Sequence, residues 1–542
     1  MDSGPGSRRW IHARPWCKLN WGSGRPRPSG KNQYAKYRNS EMTRAINMTA
    51  PKGVGRTTRR RFLAGGTALA GSWMLPRGLR GAQTGGGLDA EVIVIGAGLA
   101  GLNAALLLEE LGVSVMVVEA TSRFGGRLHT VADDIVPGYP ELGASGMGGG
   151  YARLLNAARQ YGVEIGPVRP RTEPREGEML YCVQDQLISE DDWPGHALNP
   201  YRQDWARQMM PSRPPYQVYA ELNPYPESDL GAWRRPEFAE WDRPVGEVLT
   251  EAGLAEAGVE LGVGHNSSYG TDHHDLSALM MFHTISFAIH QANWPDQGGA
   301  AKGGNQRIPE AMARNLTGDV LLDSPVAAIA DEGDRVRISL EDGRRLNAAR
   351  AIIAIPFSAL RRIALDPEPP AAQKAAIDEL GYTPCTQIHY AVKQPYWEQD
   401  GLAPSMWTDA LPGRFMALKN DPGSPDSVTS CLAYVNGHSA LKLAQMEEEA
   451  AIAEVTAELF RLRPSLKDAL EPVYLWKWSN NPYAGGAYAY WKPGQITAFA
   501  QTIAEPHGRI HFAGEHTAQL NRGMEGAMES GERAAIEILE YL

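Results

Sequence analysis

The sequence predicts an α/β protein, and three observations carry that expectation. A β-branched run, Glu91-Val92-Ile93-Val94-Ile95, leads straight into Gly96-Ala97-Gly98-Leu99-Ala100-Gly101 and then a helical pattern from Leu102 to Leu111. A second apolar run, Val115-Met116-Val117-Val118, ends in Glu119. Near the C-terminus, the strand-like Arg509-Ile510-His511-Phe512 precedes a helical pattern with a small-residue face, Met524 to Ala535.

With 542 residues the chain has room for two large domains or three ordinary ones. Its 43% hydrophobic and 21% charged residues match a globular protein and exclude collagen-like or disordered classes. Four cysteines without CxxC spacing (Cys17, Cys182, Cys385, Cys431) give no zinc ribbon and no disulfide framework. No apolar run approaches the roughly 18 residues of a spanning helix, so none is expected.

In chain order, the first element is a basic leader. Residues 1–88 hold 17 Lys/Arg and 2 Asp/Glu, a balance of +15, leaving 36 against 61, or −25, for residues 89–542. A body that acidic repels nucleic acid, which needs clustered cations, and favours cationic small molecules or basic partners. Residues 1–57 lack periodicity and read as a disordered extension. Within residues 58–87, Thr58-Arg59-Arg60-Arg61-Phe62-Leu63 and a mildly apolar Gly/Ala stretch resemble a twin-arginine export signal, which implies a periplasmic address. Met42 and Met48 would each place the arginines near a chain start.

The strand, glycine turn and helix that follow form the dinucleotide fingerprint. Gly96, Gly98 and Gly101 permit a tight turn, close approach of a pyrophosphate, and helix–sheet packing, with phosphate at the helix N-terminus. Glu119 stands where a carboxylate accepts a ribose 2′-hydroxyl, which favours FAD or NAD. Arg123-Phe124-Gly125-Gly126-Arg127 comes next, where an arginine beside glycines can reach the pyrophosphate, and then Glu141 to Gly146. Gly143-Ala144-Ser145-Gly146-Met147 lacks the last glycine and the strand–turn–helix setting of a hydrolase elbow.

These residues resemble the flavin-dependent amine oxidase family. The similarity continues through Gly303 to Pro309 and is most specific at Phe512-Ala513-Gly514-Glu515 and Met524-Glu525-Gly526. It implies a Rossmann-type FAD-binding domain assembled from residues 88–164, 298–355 and 476–542, interleaved with a mixed α+β substrate domain from residues 165–297 and 356–475. The implied FAD contacts are Gly96, Gly98, Gly101, Glu119, Ala120, Gly126, Arg127, Leu128, Ala144, Ser145, Val326, Gly514, Glu515 and Met524. Val320 to Val326 and Val336 to Leu340 read as strands, and Ala351 to Pro356 as a buried strand and exit. Residues 192–245, crowded with Trp, Tyr and Pro, read as loop-rich structure capping the site, with most of the aromatics filling core. Leu276 to His290 and Glu447 to Leu462 read as helices. His273 and His274 are adjacent and so expected to face different ways, with no accompanying metal motif, and no metal is expected.

The resemblance also assigns the chemistry. In the stretch Trp478 to Trp491, Trp478 packs near the flavin and Tyr488 is one wall of an aromatic cage. Ala487 takes the place of the cysteine that monoamine oxidases link to FAD, so the FAD is expected to be non-covalent. Gly523 stands where those enzymes have the second cage tyrosine, which leaves room for a bulky amine. The stretch Ala354 to Leu365 offers Arg361 and Arg362 in place of the lysine that holds a water at the flavin, and arginine is no conservative substitute. The Gly143–Gly150 segment lacks the arginine with which L-amino-acid oxidases clamp a carboxylate. The implied activity is oxidation of an amine to an imine, with oxygen, a periplasmic cytochrome or a quinone as acceptor. Alternatives are C–C oxidation of the carotenoid-desaturase type, an L-amino-acid oxidase, and a non-catalytic flavoprotein.

Overall fold

The computed structural model describes residues 87–166, 177–226, 228–294, 298–420 and 426–541. The basic leader with its paired arginines lies outside them.

Two sheets organise the described chain. At the centre of the first is Ala90–Ile95, flanked in parallel by Val115–Val118 and by Arg345–Ile353. Val92, Ile93 and Val94 are fully buried, and burying side chains of this size is worth roughly 1.5–3 kcal/mol each. Ile510–Phe512 joins Arg345–Ile353 in parallel, so the sheet closes with a segment more than 400 residues downstream of its first strand. Helix Leu99–Glu110 packs against the C-terminal helix Gly523–Leu539 so closely that a Cβ on Gly531 would sit 2.2 Å from the Ala100 carbonyl oxygen. Asn103 donates across the same contact to the Met528 carbonyl at 2.7 Å.

The expected strand from Val320 to Val326 is two strands on opposite sides of the sheet. Val320–Leu321 pairs with Val115–Val118, whereas Val326–Asp331 pairs with Val336–Leu340. Asp323 takes a left-handed backbone (φ 48°) and Pro325 has no N–H to donate, so a ladder cannot run through them. Beyond residue 355, Ala364–Asp366 also joins this sheet, pairing in parallel with Val326–Asp331.

The second sheet has seven strands in the order Leu470–Lys477, Cys385–Val392, Ser430–Asn436, Arg414–Leu418, Ser405–Thr408, Met179–Val183 and Gln186–Ile188. Helix Glu448–Leu462 covers one face, burying Ala451, Val455 and Leu459 against Ile388 and Tyr390. Its start follows the sequence pattern within a residue, and so does the end of the helix Ala278–Ala292 within two. Between these elements, residues 192–245 form short helices and turns. Trp193, Tyr201, Tyr219, Tyr225 and Trp233 are buried there.

Candidate active site

A cavity of about 800 Å³ runs from the glycine turn to a group of aromatic rings. The turn is dictated locally. Gly96 has φ 106°, and a Cβ there would meet Ile355 and the Ala354 carbonyl within 3 Å. Over Gly98, by contrast, nothing lies closer than 4.0 Å, so its backbone is bare toward the cavity. Helix Leu99–Glu110 begins there with no side-chain cap and no acidic residue in its first turn, leaving N–H groups and partial positive charge for an anion. Gly101 does not line the cavity. It holds the helix to the turn, since a Cβ would fall 2.0 Å from the Gly96 carbonyl oxygen.

Glu119 is buried and its carboxylate pins this turn. One oxygen accepts the Ala97 N–H at 2.8 Å, and the other accepts the Thr121 N–H and hydroxyl. The first oxygen keeps a lone pair for a hydroxyl donor. Arg123 is consumed by the neighbouring loop, donating to the carbonyls of Phe124, Gly126 and Leu128. Arg127 instead faces Glu515 across the cavity at 2.7 Å. Burial pushes the Glu515 carboxyl up, but the Arg127 guanidinium and the Ala489 N–H overcome it and hold the group below the usual carboxylate range. Ala120, Gly126, Leu128, Ala144, Ser145, Val326, Gly514 and Met524 all contribute to the same wall. Asn305 fixes Ala144 and Ser145 by donating to both carbonyls.

Arg362 also lines the cavity, but not among the rings. It lies in the turn just before the strand Ala364–Asp366, which pairs in parallel with Val326–Asp331. It is exposed, far from the role of a water-positioning lysine next to Tyr488. No lysine, cysteine or histidine lines the cavity among the described residues, and Ala487 is on its wall.

At the other end, Trp478 is 1% exposed and donates its indole N–H to the Leu142 carbonyl at 2.8 Å. The Gln387 carboxamide donates to the same carbonyl. Tyr488 donates its hydroxyl to the Ser268 carbonyl, and burial pushes its ionisation far above the ordinary range. Tyr269, whose position nothing in the sequence signalled, meets Tyr488 edge to face at 5.4 Å. Tyr151 stands opposite Gly523, with its hydroxyl 3.7 Å from where a Cβ would be, and its ring lies 5.8 Å from Phe287. The aromatics of residues 192–245 are absent from this wall and serve as core. His273 and His274 turn toward each other, ring centroids 4.0 Å apart, beside Glu260. Among the described residues no three ligands converge to hold a metal there or elsewhere.

Comparison with known proteins extends this geometry. A family model described as flavin containing amine oxidoreductase matches residues 99–539. An amine oxidase [flavin-containing] of Danio rerio is 28% identical over 470 residues, covering 83% of this chain and 85% of the relative. Amine oxidase [flavin-containing] B of Cavia porcellus is 27% identical over 464 residues, with 83% and 86% covered. Among solved structures, cyclohexylamine oxidase from Brevibacterium oxydans IH-35A superposes with a TM-score of 0.67 at 22% identity, covering 84% of this chain and 99% of that one. Putrescine oxidase bound to putrescine gives 0.66 at 23%, with 83% and 99% covered.

Proposed function

This chain belongs to the flavin containing amine oxidoreductase family, and from that premise we propose that its cavity holds FAD end to end and presents a bulky amine beside the Tyr488–Tyr269 pair. The protein is an FAD-dependent enzyme that oxidises the C–N bond of an amine to an imine, which water then hydrolyses. The observation that carries the placement is that Glu119 and Tyr488 line one cavity. The bare backbone at Gly98, the uncapped helix start and the spare lone pair of Glu119 suit the adenosine diphosphate half of FAD.

When bound, the flavin accepts a hydride equivalent from the carbon beside the amine nitrogen. The residues of this chain prepare that transfer. Tyr488 and Tyr269 exclude water from the amine. The Tyr488 hydroxyl is committed to Ser268 and is a very weak acid where it lies, so it leaves the nitrogen lone pair unprotonated. Trp478, locked by Leu142, supplies a flat wall. The start of helix Gly523–Leu539 offers partial positive charge where negative charge develops. Anaerobic mixing with a panel of amines tests this reading, with bleaching of the flavin expected. An unbleached flavin across the panel would refute it.

The acidic body and the resemblance of residues 58–63 to an export signal support a periplasmic enzyme that passes electrons to a basic cytochrome or a quinone. The lack of a lysine on the cavity wall supports slow reaction with oxygen.

A further inference from the structure

Among the described residues, Arg522 is the one cation that both lines the cavity and lies over one of the cavity's rings. It immediately precedes the C-terminal helix, is partly buried, and holds its guanidinium carbon 5.3 Å from the centre of the Tyr269 ring. Its charge reaches Tyr151, Tyr225 and His283 as well. The other arginines of the wall are engaged or exposed: Arg127 pairs with Glu515, Arg123 with loop carbonyls, and Arg362 is exposed in the turn before Ala364. Carboxylates near the helix start are engaged too. Glu525 faces Arg153, and Glu529 accepts the backbone N–H groups of Gln519, Leu520 and Asn521. Among the described residues, no carboxylate forms an ion pair with Arg522.

The carboxylates lining the cavity are Glu119, Glu341 and Glu515. Glu119 holds the nucleotide turn, and Glu341 donates its N–H to the Pro325 carbonyl next to Val326. Glu515 is neutralised by Arg127. The aromatic end therefore presents one positive side chain and no negative one.

We propose that Arg522 anchors a carboxylate carried by the substrate, so that the natural substrates are amines that also bear an acid group. This rests on the amine-oxidising reading above. A diamine would bring a second ammonium against a fixed guanidinium in a desolvated pocket, where like charges repel strongly. Tyr269 orients the guanidinium through its ring and through a hydrogen bond to its hydroxyl. A carboxylate would take paired, charge-assisted hydrogen bonds from the N–H groups that Tyr269 does not use. Burial, aided by Arg522, holds His283 neutral, so it adds no rival charge. The same cation disfavours protonation of the substrate nitrogen, which must arrive neutral to be oxidised. The sequence's lack of an arginine in Gly143–Gly150 is thus answered from a segment nearly 400 residues away.

The test uses the FAD-loaded enzyme. Benzoate and its uncharged counterpart benzamide are titrated against the flavin absorption spectrum, in wild type and in Arg522→Gln and Arg522→Lys variants with FAD content checked. Benzoate is expected to bind about 10- to 100-fold more tightly than benzamide, with Arg522→Gln erasing the difference and Arg522→Lys keeping part of it. Equal benzoate affinity in wild type and Arg522→Gln overturns the proposal, and so does an equal loss for both ligands, which would mark Arg522 as a mere prop for Tyr269. Anaerobic flavin reduction by phenylalanine and phenethylamine separates the two readings. Arg522→Gln is expected to raise the apparent dissociation constant for phenylalanine at least about tenfold more than that for phenethylamine, whereas equal effects on the two overturn the anchor. Reduction of wild type by phenethylamine as efficiently as by phenylalanine overturns the carboxylate anchor and leaves amine oxidation standing. Amine oxidation itself is decided by the wider amine panel above, and the benzoate titration decides the anchor whatever that panel shows.

Discussion

The rings of Tyr488 and Tyr269 meet edge to face, with centroids 5.4 Å apart and planes at 64°. The two come from different parts of the molecule, Tyr488 from the stretch after Trp478 and Tyr269 from a loop that also supplies the Ser268 carbonyl accepting the Tyr488 hydroxyl. One loop therefore both holds the first ring and provides the second.

Removing the second ring should weaken catalysis without unfolding the protein. For Tyr269→Ala we expect kcat/KM for amines to fall about tenfold, from lost aromatic contact and admitted water. Tyr269→Phe keeps the ring and should stay within a few-fold of wild type. Steady-state kinetics on enzyme with full FAD content measure both, and an unchanged Tyr269→Ala would remove this ring from the site.

Gly523 has a left-handed backbone, φ 57°, so any other residue is strained there by about 1–2 kcal/mol. Gly523→Ala should lower the unfolding midpoint and shift preference toward slimmer amines, since its Cβ points at the Tyr151 hydroxyl 3.7 Å away. A tyrosine at this position would have to displace Tyr151. The same ranking across a size series in wild type and Gly523→Ala would show that this position does not shape the pocket.

Flavin should come off on acid precipitation. Ala487 has no sulfur, and none of the buried Cys182, Cys385 and Cys431 lines the cavity. Yellow colour staying with the precipitate counts against this. Glu119→Gln should weaken FAD binding by about tenfold, since it replaces an acceptor of the Ala97 N–H and of the ribose by a mixed donor–acceptor. Flavin fluorescence on dilution reads that change.

Burial depresses several imidazoles, among them His129 to about 4 and His516 to about 3, from the usual 6.5. Between those values and 6.5 the unfolded chain binds protons that the native chain does not. Stability should therefore be fully present above 6.5 and fall as pH drops toward 4 and then 3, each unit of separation being worth about 1.4 kcal/mol per group. Denaturant midpoints at pH 7 and pH 4.5 measure the slope, and His516→Phe should flatten it. An equally steep slope in that variant would mean His516 titrates normally.

Reoxidation should be slow in air. Stopped-flow mixing of amine-reduced enzyme with air-saturated buffer is expected to be slower than turnover with a basic cytochrome c, and the cytochrome rate should fall with added salt because it is steered by charge. Oxygen restoring the oxidised spectrum at the turnover rate, with stoichiometric peroxide, would make the enzyme a true oxidase.

What the sequence determined by itself is what short-range chemistry fixes. The glycine turn at Gly96, the carboxylate at Glu119 closing the second strand, and the small-residue face of Gly523–Leu539 follow from turn geometry, strand termination and helical period within a few dozen residues. The split of Val320 to Val326 was written locally too, in Asp323 and Pro325, but which edge each half joins depends on partners more than 200 residues away for one and adjacent for the other. At the substrate end Tyr488 was legible from the stretch Trp478 to Trp491, but its neighbours were decided by tertiary structure. Tyr151, Tyr269, Phe287 and Arg522 come from four other segments, and no spacing ties them to Tyr488. Their convergence comes from the packing of two sheets and their covering helices, a long-range property that one-dimensional spacing does not carry. The same packing put Arg522 against the Tyr269 ring.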